Sequence, residues 1–92
     1  MSYVKVKFFS FLRLITGVST LEMNAPNVNS LLNILIERYG IPFEKEVFTD
    51  SRGLREGMVI LVNGRNILFL EGLGTKLKED DTVCLIPPAG GG

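Results

Sequence analysis

Thr82-Val83-Cys84-Leu85-Ile86-Pro87-Pro88-Ala89-Gly90-Gly91-Gly92 is the stretch on which the reading of this chain turns. Its first half alternates: Val83 and Leu85 belong to one face, Cys84 and Ile86 to the other. That is the period of a β-strand with one face on a core. Each proline then fixes φ near −65° and lacks an N–H, so ladder pairing has to stop at Pro87. The Ile-Pro and Pro-Pro steps favour extended geometry, which predicts a short PPII-like lead pointing away from the body. Ala89 and the glycines carry almost no side chain, so such a tail can thread a slot closed to larger residues. From Pro88 to Gly92 the reach is roughly 13–14 Å. The tip is an α-carboxylate, ionised at neutral pH because its ordinary pKa is about 3.3–3.7. Glycine-rich ends are also commonly frayed or left over from cloning. Against that stands the junction, two prolines directly after a β-type run with no Ser or tag between.

Working outward, the last strand needs a partner, and Tyr3 to Phe9 supplies one. Val4, Val6 and Phe8 point one way and Tyr3, Lys5, Lys7 and Phe9 the other. The first set is expected in the core. Phe9 is then an aromatic on the wetter face, there for a partner or covered by a loop. Phe11 to Gly17 reads as a short apolar turn or a single helical turn stopped by glycine, and Val18 to Met23 as a second strand forming an antiparallel hairpin with the first. Asn27 can cap a helix whose stripe is Val28, Leu31, Leu32, Leu35, Ile36 and Tyr39. Gly40 and Pro42 close it. Phe43 to Gly57 reads as a charged surface loop, with room for one helical turn around Phe43 to Phe48 and with its charges simply solvated. Met58 to Val62 is apolar on both faces, as an inner strand is. Asn63-Gly64 is a turn dipeptide, and Arg65 to Leu70 is expected to return as a short strand.

Hairpin, crossover helix, inner strand and last strand give an α+β fold. Four to five strands form a mixed sheet with one main helix on one face. A right-handed crossover puts the last strand beside the first and parallel to it, a β-grasp arrangement. The division is a domain over residues 1–88 and a tail over 89–92.

Composition narrows the function. At 92 residues the chain is one domain with little room for an internal pocket. Formal net charge is zero, which gives no general attraction to nucleic acid or an anionic membrane. No apolar run is long enough to span a bilayer and no signal peptide is evident, so a cytoplasmic place is expected. Histidine is absent, which removes the commonest general base and transition-metal ligand. The single cysteine, Cys84, makes neither an internal disulfide nor a zinc cluster, and it has no basic partner in sequence. No metal site and no catalytic residues of the chain's own are expected.

On these residues the chain resembles the MoaD/ThiS-like sulfur carrier family, the small subunit of molybdopterin synthase, within the ubiquitin-like β-grasp superfamily. The matching pieces are Val4 to Phe9 with Leu12-Arg13 and Gly17, the helix opening at Val28 to Leu32, Val62-Asn63-Gly64, and Leu77 to Val83 leading into Ile86-Pro87-Pro88-Ala89-Gly90-Gly91-Gly92. Residues 43–57 match least well and look like the longer loop of archaeal relatives. The resemblance implies that Gly92 is adenylated by a MoeB-like, ubiquitin-activating-type enzyme using ATP and Mg²⁺. It then becomes a thiocarboxylate that delivers sulfur in the large, MoaE-like synthase subunit. Gly90 and Gly91 would thread the partner's slot, and Phe9, Ile86, Pro87 and Pro88 would belong to the docking face. The chain itself would bind no cofactor. The same chemistry is shared by carriers for tRNA thiolation and by ubiquitin-like modifiers of the small archaeal type. Thiamin-pathway carriers are shorter, which disfavours that version.

Overall fold

The computed structural model of the protein describes residues 2–88. Five strands form one sheet in the order β2-β1-β5-β3-β4. They are β1 (Tyr3–Phe8), β2 (Thr20–Asn24), β3 (Val59–Val62), β4 (Arg65–Asn66) and β5 (Thr82–Ile86). β1 pairs antiparallel with β2 and parallel with β5, and β3 pairs antiparallel with β5. The strand leading to the tail is therefore central, bonded on both sides. This is the expected β-grasp sheet.

Register decides which side chains meet. Val6, Val83 and Val62 form one row across β1, β5 and β3, and Phe8, Leu85 and Ile60 the next. Both rows lie on the buried face. Helix α2 (Val28–Tyr39) covers them with Val28, Leu31, Leu32 and Leu35. Asn27 is its N-cap, accepting a hydrogen bond from the Ser30 N–H at 2.8 Å. The short helix α1 (Phe11–Thr16) buries Leu12 and ends at Gly17, which takes the left-handed φ of 78° that a Cβ resists.

The structure corrects the reading of residues 43–57. Pro42 does not hold the chain out of helix; it sits in the first turn of a third helix, α3 (Ile41–Val47). A proline there loses only an N–H that would lack an intrahelical partner anyway. Gly40, at φ 80°, is the hinge between α2 and α3. Phe43 and Val47 of α3 are fully buried, and Phe48 nearly so. Phe43 stacks on Tyr39 at 5.9 Å and meets Phe8 edge-on at 6.2 Å. The charges are not simply solvated either. Arg52 pairs with Glu44 and Arg55 with Glu46, each at 3.1 Å.

A second correction concerns residues 65–70. Asn63 and Gly64 both have positive φ, 52° and 84°, as a tight hairpin requires. Only Arg65 and Asn66 pair afterwards, because the Asn66 side chain then caps a 3₁₀ turn over Ile67–Phe69 by accepting from the Leu68 N–H at 2.9 Å. A further 3₁₀ turn spans Gly72–Gly74.

Candidate functional site

The face of the sheet turned away from the helices is built by the odd phase of the same strands. Lys7, Cys84, Leu61 and Asn66 make one row across β1, β5, β3 and β4. Ile86 stands opposite Val59 in the next row. Phe9 lies one step past the last β1–β5 pair. Its N–H donates to the Leu85 oxygen at 3.2 Å, which carries the ladder on and sets Phe9 beside Ile86. Phe9, Ile86, Val59, Leu61 and Cys84 are all half-buried. They form a contiguous apolar strip at the end of the sheet where β5 gives way to the prolines. Lys5 and Lys7 flank it on β1 and are exposed, with Glu22 of β2 across from Lys5.

Structure and sequence thus put Phe9 and Ile86 together. Val59 and Leu61 belong to the same strip and were not singled out. Their signal was present, since Met58 to Val62 is apolar at every position. It was absorbed by the reading of an inner strand, which accounts for two apolar faces without a partner.

The prolines are placed differently from the expected lead pointing away. Pro87 is buried and Pro88 is half-buried, seated against Gly57, so the first two residues of the lead rest on the body. β5 delivers them at the end of the apolar strip. Gly90, Gly91 and Gly92, with Ala89, lie outside the described residues. Among the described residues no group of three or more His, Cys, Asp or Glu side chains is placed to hold a metal ion. No helix among them is long and apolar enough to cross a membrane. What the described arrangement offers is a half-buried apolar strip with the origin of the tail at its edge.

Comparison with known proteins agrees with this architecture. The ThiS family model matches residues 6–92. A protein of Archaeoglobus fulgidus assigned as a sulfur carrier is 36% identical over 74 residues, covering 78% of this chain and 83% of the relative. The solution structure of small archaeal modifier protein 1 from Methanosarcina acetivorans is 37% identical with a TM-score of 0.82, covering 100% of this chain and 98% of that one. A Pyrococcus furiosus structure assigned as molybdopterin converting factor, subunit 1, is 32% identical with a TM-score of 0.76, covering 97% of this chain and all of the other. With a five-stranded β-grasp sheet and a family match over nearly its whole length, the chain belongs to the ThiS family of ubiquitin-like, sulfur-carrier-type proteins.

Proposed function

We propose that this protein carries sulfur on the carboxyl group of Gly92, as the small subunit of a molybdopterin synthase. The observation that carries the reading is the Pro87-Pro88-Ala89-Gly90-Gly91-Gly92 sequence issuing from a central strand beside an apolar strip. A ubiquitin-activating-type enzyme of MoeB-like kind would dock on Phe9, Val59 and Ile86 and take the small-residue tail into its site. There a Gly92 carboxylate oxygen attacks the α-phosphorus of Mg²⁺-bound ATP, and pyrophosphate leaves. Hydrosulfide-level sulfur then attacks the acyl carbon; the C–S bond forms and AMP departs with the oxygen. No net oxidation occurs in that exchange. A persulfide donor gives an acyl disulfide instead, which a thiol cleaves to the thiocarboxylate while forming a disulfide with the donor. The large, MoaE-like subunit would then accept the sulfur for the dithiolene of the pterin. The partners supply the acids and bases, in keeping with a chain that has no histidine.

A second reading is favoured by the 37% identity to small archaeal modifier protein 1 over the whole chain. The same acyl-adenylate can be captured by a lysine amine, leaving this protein joined through Gly92 to a target. The two readings share activation and differ in the acceptor.

The test is intact mass after incubation with an adenylating enzyme, ATP, Mg²⁺ and sulfide. An O-for-S exchange located at Gly92 is expected. An unchanged mass, with an enzyme shown to be active on its own carrier, refutes both readings. Copurification with a large synthase subunit selects the pterin route, and Gly-Gly remnants on target lysines select the modifier.

A further inference from the structure

We infer that Gly57 is a positioning residue for the tail, the seat that sets the direction in which the chain leaves β5. The inference rests on Gly92 being the reactive end. β3 and β5 run antiparallel with Val59 opposite Ile86. One step further sets Met58 against Pro87 and Gly57 against Pro88. Pro88 has no N–H to donate to the ladder, and among the described residues its contact with Gly57 is one of packing. A Cβ placed on Gly57 would stand 3.2 Å from Pro88 Cβ, 3.6 Å from Cγ and 3.7 Å from Cα. Only hydrogen fits without a shift of the ring. Among the positive-φ glycines this close approach is particular to Gly57: Gly17, Gly64 and Gly72 meet nothing within 4 Å, and Gly40 meets only Pro42 Cδ at 3.8 Å.

The seat is anchored in the core. The Arg55 N–H donates to the Val47 oxygen at 2.9 Å, and the Met58 N–H to the Arg55 oxygen at 3.0 Å. Arg55 Nη1 pairs with Glu46 Oε2 at 3.1 Å. Residues 55–58 are thus fastened to α3, whose Phe43 and Val47 are fully buried. Such an anchor matters because the carrier reading needs the tail to extend into a partner's slot, where it would act as a lever. A tilt of about 10° at Pro88 moves the end of a roughly 13–14 Å arm by about 2 Å. Misplacing a reacting atom by about 1 Å can lower a rate by up to about 100-fold.

The experiment compares Gly57→Ala with Gly64→Ala in the full chain. Both glycines have nearly the same φ, +88° and +84°, so both variants carry similar backbone strain, but only the first adds a contact with Pro88. With the adenylating enzyme, Gly57→Ala is expected to lower kcat about tenfold or more while KM stays within about twofold; Gly64→Ala keeps the wild-type kcat. In a Pro88→Gly background, where the clashing ring is gone, Gly57→Ala should add no further loss. Gly57→Asn adds the same Cβ in a residue that tolerates positive φ, and serves if the alanine variant folds poorly. Equal kcat in Gly57→Ala and Gly64→Ala overturns the inference. If the wild type itself is not adenylated, the carrier reading fails separately. The seat is then judged by the amide shifts of Ala89 and Gly90 in the free protein. Gly57→Ala should move them and Gly64→Ala should not; shifts alike in both variants overturn it.

Discussion

Arg55 and Arg52 each hold a glutamate of α3 at 3.1 Å, and their surroundings set them apart. The Arg52–Glu44 pair is exposed, with side chains 58% and 33% accessible, whereas the Arg55–Glu46 pair is at 25% and 16%. Glu46 Oε1 is buried and makes no hydrogen bond among the described residues. Arg55→Met would leave the whole carboxylate unpartnered in a largely covered site, and should cost about 1–3 kcal/mol. Arg52→Met should stay within about 0.5 kcal/mol, because solvent screens that pair. Urea midpoints measure both, and equal losses would contradict the distinction. Asn27 offers a cleaner case. Alanine there removes the bond from the Ser30 N–H and should cost about 1 kcal/mol, while serine should keep most of it. That cap was legible in the sequence, since the capping oxygen and the N–H that donates to it sit within one turn. The Gly57 seat was not, because Pro88 lies far along the chain and only the register of β3 on β5 brings them together.

The elements divide in the same way. β1, β5 and α2 announce themselves through alternation and a helical stripe, signals that need no knowledge of neighbours. Helix α3 was legible only as one turn around Phe43 to Phe48, because Gly40 and Pro42 end one helix and begin the next with the same residues. The buried faces of Phe43 and Val47 were masked by Glu44, Lys45 and Glu46 around them. Phe43→Ala should therefore behave as a core deletion, costing about 3–5 kcal/mol, with faster hydrogen exchange through α3. A surface-loop residue would show neither effect. On the opposite face, Phe9→Ser is expected to leave the fold intact and to raise KM for the activating enzyme about tenfold with kcat unchanged. A fall in kcat at constant KM would place Phe9 in alignment of the tail instead of in docking. Phe9 and Ile86 were readable from strand phase; the contribution of Val59 and Leu61 became clear only once the sheet order was known.

At the scale of the molecule, the core and the tail are separable in a definite way. Every buried apolar residue among those described as the core lies between Val4 and Leu85. Removing residues 89–92 should leave the melting temperature nearly unchanged and abolish adenylation. Removing 82–92 should abolish folding, because β5 fills the position between β1 and β3 and contributes Val83 and Leu85. Circular dichroism and limited proteolysis distinguish the two truncations. A folded product from the longer deletion would mean that β5 is dispensable to the sheet.

The middle place in the sheet is filled by the strand synthesised last of the five. A nascent polypeptide on the ribosome thus has its other strands available early, with a vacancy that only Thr82–Ile86 can occupy. Copies terminated before Thr82 lack the strand that joins β1 to β3 and should stay open to proteases. Completion of the fold certifies that translation has already reached the root of the arm.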